Sequence, residues 1–421
     1  MIRKFGRLVP LIIVLIVSLI GFGILYVSND GFDTAALQNM AALLVLILAS
    51  YSLILFASFG DEYLFLIVSM IFAIGIISLL RLDETAAHNQ VMFFYVGMVG
   101  FFVVYTVYRR LSIWNDPRIV RIYIALSVFL FVVTKAFGSE VYGAKNWIDL
   151  GPITIQPSEI IKILFILALS GLYTNYDIKT TKKARRRDAI SQKRQLVIMC
   201  VAYLYIGFLL LQKEWGSALL YFLIYFTLQY VLGKGFKFLA INAVLAAGGA
   251  YVGMMKVSHI QERIAIWRDP FGYFDPDKSR QIVQTLYAMA SGGITGTGLT
   301  LGSPRYIPLV KNDFIFAAIC EEFGMVGGVA VIMLFMLFVY RGIRISLRAT
   351  RPFNKAVSLG ISAMFCYQTF IIIGGVIKFI PMTGITLPFI SAGGSSLASC
   401  FVSLAILQAI SSKEGELSDV I

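Results

Sequence analysis

Long apolar runs separated by short polar segments dominate the chain. Twelve runs are close to the roughly 20 residues that a helix needs to cross a ~30 Å hydrocarbon core. They lie at residues 8–27, 40–58, 63–80, 91–108, 120–137, 158–175, 195–211, 217–232, 236–255, 314–340, 355–380 and 387–410. Lipid offers backbone amides no partner, so each run is predicted to be helical. The pattern therefore predicts an all-α fold, a polytopic transmembrane helical bundle of about twelve spans.

Composition supports this class. Hydrophobic residues make up 58% of the 421 residues and charged residues only 14%, against roughly 25% in a soluble domain. The first run is long and lacks a small-residue cleavage site, so we expect it to remain as a span. The four cysteines lie within or at the ends of runs and are expected to pack as small apolar residues. They are Cys200, Cys320, Cys366 and Cys400. The sequence predicts no protein metal site, because the two histidines, His88 and His259, are far apart.

The net charge of +13 is concentrated in loops. With twelve spans, the basic segments around residues 1–7, 108–121, 179–194, 233–237 and 341–355 all fall on one side, which the positive-inside tendency assigns to the cytoplasm. Both termini are then cytoplasmic. The acidic segment "FGDEYL" is the one exception on that side. Membrane topology explains the basic loops, so nucleic acid is not expected as a partner.

Two longer segments fall on the outer side, residues 138–163 and 256–312. Within the second, Ile282, Leu286 and Met289 follow helical spacing, which predicts an amphipathic helix at the interface. The glycine-rich "SGGITGTGLTLG" lacks the features of a phosphate loop and is predicted to be a tight connection. Seven Lys or Arg from Lys256 to Lys311 favour either an anionic ligand such as a pyrophosphate or salt bridges with nearby acids. The outer cations that could bind pyrophosphate are Lys145, Arg263, Arg268, Arg280, Arg305 and Lys311.

Ionisable residues inside or beside the apolar runs are a further signal, because they are costly in a membrane. Glu159 and Lys162 share a helix face and can pair, Glu214 begins another run, and Lys378 lies near the outer end of the eleventh. They indicate either a functional cavity or ion pairs that hold helices together. Asp313 stands where the outer loop meets the tenth run.

Three segments in order resemble one bacterial family. They read "YGAKNWIDLGPITIQPSEIIKI", "RQIVQTLYAMASGGITGTGLTLGSPRYIPLVKNDFIFAAICEEFGMVGG" and "KFIPMTGITLPFISAGGSSLAS". From about Gly138 onward the chain resembles the SEDS proteins (shape, elongation, division and sporulation), which include FtsW, RodA and SpoVE. The resemblance implies a core of ten spans with two extra spans at the N-terminus. It divides the chain into a five-span region, 1–137, and a SEDS-like core, 138–421, with its long extracellular loop at 256–312.

The family resemblance implies a peptidoglycan glycosyltransferase. Such an enzyme polymerises lipid II into glycan strands with release of undecaprenyl pyrophosphate, in cell division, elongation or sporulation. The implied partners are a class B penicillin-binding protein, which is a transpeptidase, and other divisome or elongasome membrane proteins. The implied location is the bacterial cytoplasmic membrane, with the active site facing outside. Two alternatives stay open: a flippase or transporter of a lipid-linked substrate, and a non-catalytic scaffold for cell-wall assembly.

Asp313 is the catalytic candidate that the resemblance and the chemistry share. Attack by a sugar hydroxyl on an anomeric carbon needs a general base, and the pyrophosphate leaving group needs cations, from basic side chains or from Mg²⁺ or Mn²⁺. The alternative role for Asp313 is a helix N-cap. Glu321 and Glu322 are expected deeper in the span, as pairing or packing groups. Candidate substrate-binding residues are Lys145, Trp147, Gln156, Ser158, Glu159, Lys162, Glu214, Arg263, Arg268, Arg280, Gln281, Gln284, Lys311, Ser395 and Ser396.

The chain also departs from the family pattern. Leu309 stands where the family has glutamate, Asn312 replaces threonine, and Ile372 replaces an asparagine. The segment Gln212–Gly216 reads QKEWG where the family has Gln-Pro-Asp-Leu-Gly. Asp313 is retained, which favours the enzyme interpretation.

Overall fold

A computed structural model describes the chain except for residues 1, 29–33, 142–143, 150, 152–153, 175–183, 234, 274 and 419–421. The side chains of 2–7, 34–36, 140–141, 144–145, 184–191 and 413–418 are also outside the described part. The predicted site residue Lys145 belongs to this group, so its side chain lies outside the described residues.

Fourteen α-helices occur in the described part of the chain. They are α1 Ile2–Ser28, α2 Thr34–Phe56, α3 Glu62–Leu82, α4 Glu84–Arg110, α5 Pro117–Phe137, α6 Pro157–Thr174, α7 Ala184–Leu211, α8 Trp215–Leu232, α9 Phe236–Lys256, α10 Ser258–Arg268, α11 Pro276–Gly292, α12 Ile315–Arg348, α13 Pro352–Val376 and α14 Gly394–Ser418. Twelve of these contain segments long and apolar enough to cross a membrane; the exceptions are α10 and α11. The predicted twelve-span helical bundle is confirmed. The helix predicted around Ile282 is α11, whereas α10 was not predicted.

The last two spans differ from the prediction in their bounds. The sequence predicts spans at 355–380 and 387–410, but α13 ends at Val376 and α14 begins at Gly394. The segment between them, 377–393, is a non-helical loop, called here the 377–393 loop. Its apolar composition resembles that of a membrane-spanning helix, but it contains Pro381 and Pro388, which cannot donate a helical hydrogen bond. Three glycines, Gly384, Gly393 and Gly394, lie within it or at its end and further disfavour a helix.

The residues that the structure describes group into two compact units. The first comprises residues 1–103, 262–341 and 368–421. Helix α3 lies in its interior, and both N-terminal helices, α1 and α2, pack on it. On the predicted cytoplasmic side, Arg341 donates to both carboxylate oxygens of Asp61, at 2.8 and 2.5 Å, and lies over the Tyr63 ring. This ion pair neutralises Asp61, one of the two acidic residues in "FGDEYL" that oppose the charge pattern.

The second unit comprises residues 104–261 and 342–367. Its outer segment forms three short antiparallel strands, β1 Ser139–Val141, β2 Ala144–Asp149 and β3 Thr154–Ile155, where the sequence predicted a loop. The strands pair in the order β1-β2-β3 and lead into α6, which is buried along most of its length. Close helix packing explains this burial: a side chain at Gly171 would collide with Val120, and one at Gly360 with Ile166.

Helix α12 is interrupted at Gly324, which has φ of 68° and ψ of −170°. At this break the Thr297 and Gly298 amides donate to the carbonyls of Glu321 and Glu322, each at 3.0 Å. A Cβ at Gly324 would lie 2.3 Å from the Gly296 nitrogen, so only glycine fits here. The predicted tenth span is therefore not one uninterrupted helix. The glycine-rich segment is a tight connection, as predicted, and its glycines let it reach the backbone of the broken helix.

Candidate functional site

Asp313 lies just before α12 but does not cap it. The first helical hydrogen bond of α12 runs from the Ala318 amide to the Phe314 carbonyl, so Phe314 occupies the cap position. Within the described residues, no side-chain hydrogen bond involves the Asp313 carboxylate, which is only partly exposed. The capping alternative for Asp313 is therefore wrong, and the acid is available for another role.

Arg263 is the cation that the structure brings to Asp313. It lies on α10, and its Nη1 donates to the carbonyls of Met382 and Thr383 at 3.1 and 2.9 Å. These two bonds dock α10 on the 377–393 loop. The next residue, Gly384, has a φ of +75°, and a Cβ placed there would lie 3.7 Å from Asp313 Oδ2 and 3.9 Å from Arg263 Nη2. The acid and the guanidinium thus flank one glycine.

The surroundings of Asp313 make its carboxylate a stronger base than an exposed aspartate. Burial raises its pKa from the usual 3.8 to about 6, and the positive charge of Arg263 opposes this rise. At neutral pH the group is still mostly ionised. A carboxylate that is ionised and weakly solvated can accept a proton from a hydroxyl placed against it.

The 377–393 loop is fixed directly to the residues before Asp313. The Ala392 amide donates to the Lys311 carbonyl at 2.9 Å, and Ser391 Oγ donates to the Asn312 carbonyl at 2.5 Å. Helix α4 holds the same segment, because Gln90 Nε2 donates to the Ser391 carbonyl at 2.9 Å. Ser391 contacts the backbone of residue 312 and not its side chain. The presence of Asn312 where the family has threonine therefore does not affect the hydrogen bond from Ser391.

Lys311 is paired with an acid that sequence reasoning missed. Its Nζ donates to Asp83 Oδ2 at 2.6 Å. Asp83 also accepts from the Ala86 amide at the start of α4, at 3.0 Å, and these contacts lower the pKa of Asp83. Sequence offered a signal for Asp83, an acid directly before a span, but only as a cap. Asp83 thus fixes Lys311 two residues from Asp313.

Glu321 and Glu322 are pairing groups, as predicted. Glu322 accepts from Arg81 Nε at 3.3 Å and from the Thr300 amide at 3.1 Å, and Glu321 accepts from the Ser303 amide at 2.8 Å. The sequence predicted that both residues lie deeper in the span, but their contacts are with residues outside α12. Their partners are the loop before α12 and Arg81 at the end of α3, so they stabilise that loop.

No contact in the described part of the chain joins the remaining predicted substrate-binding residues of the first unit to Asp313. Arg268 and Arg280 are exposed and form no ion pair with a described residue, and Gln281 and Gln284 are half-buried on α11. Ser396 Oγ lies 2.8 Å from Thr386 Oγ1 in the 377–393 loop, with Ser395 beside it at the start of α14. The salt-bridge interpretation holds for Glu262, which pairs with Lys278. Arg305 donates to the Arg81 carbonyl at 3.0 Å.

The second unit contains a buried polar cluster built on α6. Lys162 Nζ lies 2.7 Å from Glu159 Oε2, and both residues are buried, so the predicted pair is confirmed. Ser158 Oγ donates to Glu214 Oε1 at 3.3 Å, and Tyr221 donates to the Ser158 carbonyl at 2.8 Å. Burial raises the pKa of Glu214, and its polar neighbours oppose this. Sequence predicted the Glu159–Lys162 pair but not the link from Ser158 to Glu214.

Two further predicted residues of this unit make backbone contacts. Trp147 is half-buried in β2, and its carbonyl accepts from Ser139 Oγ at 3.1 Å. The Gln156 carbonyl accepts from the Glu159 amide at 3.1 Å, at the start of α6. Across all the described residues, no three His, Cys, Asp or Glu side chains converge in a way that would hold a metal ion.

Comparison with known proteins identifies the family. A sequence profile of the family described as "Cell cycle protein", FtsW/RodA/SpoVE, matches residues 61–416. The peptidoglycan glycosyltransferase RodA of Mycobacterium tuberculosis is 34% identical over 382 residues, covering 85% of this chain and 79% of the relative. Stage V sporulation protein E of Bacillus subtilis is 29% identical over 335 residues, covering 77% and 86%. The matched region begins after α1 and α2.

Solved structures agree in fold. The rod shape determining protein RodA of Thermus thermophilus has a TM-score of 0.60 at 24% identity, covering 84% of this chain and 96% of that chain. A chain from a structure titled "Structural coordination of polymerization and crosslinking by a peptidoglycan synthase complex" has a TM-score of 0.69 at 24% identity, covering 84% and 98%. The profile match spans well over half of the sequence, and the twelve-span fold agrees with it. The chain therefore belongs to the FtsW/RodA/SpoVE family, the SEDS proteins.

Proposed function

We propose that this protein is a peptidoglycan glycosyltransferase that polymerises lipid II and releases undecaprenyl pyrophosphate. The observation that carries the proposal is the environment of Asp313. Its carboxylate is partly buried, does not cap α12, has a raised pKa and lies beside the guanidinium of Arg263. Curated relatives that are 30 to 34% identical bear the name peptidoglycan glycosyltransferase. Site and family support the same chemistry.

The proposed reaction is a single displacement at an anomeric carbon. Asp313 accepts the proton of the attacking sugar hydroxyl as the new oxygen–carbon bond forms. The bond from the anomeric carbon to the phosphate oxygen breaks, and its electron pair leaves with the undecaprenyl pyrophosphate. Attack opposite to the leaving group inverts the anomeric centre. A pyrophosphate is a good leaving group, so one carboxylate suffices and no protein acid is needed.

The developing negative charge on the pyrophosphate requires cations. Arg263 is the cation beside Asp313. Lys311, two residues before Asp313, is held in place by its ion pair with Asp83. Arg268, Arg280, Gln281, Gln284, Ser395 and Ser396 remain proposed substrate contacts in the first unit. Trp147, Gln156, Ser158, Glu159, Lys162 and Glu214 remain so in the second.

A divalent cation fits this site only together with its substrate. Mg²⁺ is often bound through one or two carboxylates and the phosphates of a substrate. The described residues offer Asp313 but no group of three ligating side chains. Mg²⁺ or Mn²⁺, where used, would therefore be held by the pyrophosphate oxygens, and its chemistry would be to neutralise their charge.

Location and partners follow from the same proposal. Twelve apolar helices make this a multi-pass membrane protein. We assign it to the bacterial cytoplasmic membrane, with both termini cytoplasmic and Asp313 facing outside. We further propose a class B penicillin-binding protein as its partner. Support comes from the match to a chain of a peptidoglycan synthase complex whose title joins polymerisation with crosslinking.

The decisive experiment is lipid II polymerisation by the purified protein and by Asp313→Asn. A general base contributes roughly 10²- to 10⁴-fold, so we expect the variant to lose at least 100-fold in glycan strand formation. Asp277→Asn is the matched control, because it removes the same charge from an exposed acid in the first turn of α11. Each protein is assayed with Mg²⁺, with Mn²⁺ and with a chelator. Polymerisation by Asp313→Asn at a rate near that of the parent would refute the base assignment. A parent that makes no glycan would favour a flippase or a scaffold.

A further inference from the structure

Gly384 forms the floor of an open space between Asp313 and Arg263. The point where its Cβ would stand is 3.7 Å from Asp313 Oδ2 and 3.9 Å from Arg263 Nη2. Apart from Gly384 itself and its chain neighbours Thr383 and Ile385, no other atom of the described residues lies within 4 Å of that point. Gly384 is exposed. A base and a cation therefore both border the same accessible point.

The protein itself does not require this space to be empty. Distances of 3.7 and 3.9 Å are ordinary van der Waals contacts, so a methyl group would fit among the surrounding protein atoms. The φ of +75° favours glycine, and another residue would carry a strain of roughly 1–2 kcal/mol. The surrounding protein atoms therefore leave room for a methyl group at Gly384. That methyl group would clash with a molecule bound in the space.

The groups around the space are oriented and partly unpaired. Arg263 is held by the two hydrogen bonds from Nη1, so Nη2 is left on the side of Gly384 and Asp313. The Asp313 carboxylate has no side-chain hydrogen bond in the described part of the chain. An unpartnered carboxylate beside an accessible point that a guanidinium also borders indicates a bound polar ligand.

We propose that the reacting atoms lie over Gly384, with the attacking hydroxyl next to Asp313 and the leaving diphosphate next to Arg263. This proposal rests on the proposed function and adds the direction of the reaction across the site. A base and a cation that both border one point match a displacement in which a hydroxyl loses its proton to the base and a diphosphate leaves beside the cation. The absent side chain of Gly384 then provides the room for the anomeric centre, which makes Gly384 a positioning residue.

The test is Gly384→Ala, compared with Gly235→Ala. Gly235 precedes α9, has a φ of +86° and has nothing within 4 Å of its Cβ position, so its variant carries similar backbone strain without blocking a site. We expect Gly384→Ala to lower kcat for lipid II polymerisation roughly 10- to 100-fold, as a misplacement of about 1 Å does. The acid limb of its pH profile should stay where it is in the parent, because Asp313 keeps its surroundings. Gly235→Ala should keep the parental rate.

The Arg263 side is tested with inorganic pyrophosphate as a competing inhibitor. Arg263→Gln should weaken this inhibition at least fivefold, while Arg351→Gln, at an exposed arginine of the loop assigned to the cytoplasm, should not change it. This measurement stands even if Gly384→Ala fails to fold. The proposal is overturned if Gly384→Ala polymerises as fast as Gly235→Ala, or if pyrophosphate inhibits Arg263→Gln as strongly as the parent. Either result, together with an inactive Asp313→Asn, would leave the glycosyltransferase intact and remove only this assignment.

Discussion

Lowering the pH should switch off polymerisation through Asp313. Burial raises the pKa of this carboxyl from 3.8 to about 6. At pH 5 only about one tenth of it would be ionised, whereas an ordinary aspartate would remain about 90% ionised. We therefore expect kcat/KM to fall about tenfold between pH 7.5 and pH 5, with a midpoint near 6.

The stability of the protein should move in the opposite direction. A folded-state pKa above the unfolded value means that the folded protein binds this proton more tightly. The contribution is fully present below the usual value of 3.8 and is lost as the pH rises through about 6. Protonation of Asp313 at pH 5 thus stabilises the fold, by at most about 3 kcal/mol. A loss of rate at pH 5 without a drop in melting temperature would assign the loss to chemistry and not to unfolding.

Arg263 gives this prediction its control. Its charge opposes the rise in the Asp313 pKa, so Arg263→Gln should move the acid limb to higher pH, and Arg263→Lys should move it less. The assay is the initial rate of glycan strand formation at lipid II concentrations well below KM, which reports kcat/KM, with the melting temperature measured in each buffer. An acid limb near pH 4 in the parent, or a shift to lower pH in Arg263→Gln, would refute the reasoning.

Two further predictions concern topology and partners. In a variant without its native cysteines, Lys311→Cys should react with a membrane-impermeant thiol reagent in intact cells. Arg351→Cys should react only after lysis, because the basic loop at 341–355 is assigned to the cytoplasm. The reverse pattern would place Asp313 on the cytoplasmic side and refute the topology. The protein should co-purify from native membranes with a class B penicillin-binding protein that raises its polymerisation rate. If no such protein of the host binds or activates it, the partner assignment fails.

Some interactions were accessible from sequence because they are local. Glu159 and Lys162 are three residues apart on one helix, so helical periodicity alone places them in contact. The helix at Pro276–Gly292 followed from the spacing of Ile282, Leu286 and Met289 for the same reason. Other contacts were not accessible: Asp83 with Lys311, and Arg81 with Glu322, join residues separated by 228 and 241 positions.

Sequence by itself determined the membrane-spanning class, the twelve spans and Asp313 as the catalytic candidate. Span length and hydropathy are set by the bilayer, which acts on each segment separately. Only the tertiary structure decided that the 377–393 loop is not helical, that Phe314 caps α12 in place of Asp313, and that Arg263 and Gly384 stand beside that acid. These features depend on hydrogen bonds between α10, α4 and the 377–393 loop, which are distant in the chain. Packing between such segments leaves no periodic signal along the sequence, so the sequence could single out Asp313 as a candidate but could not predict its surroundings.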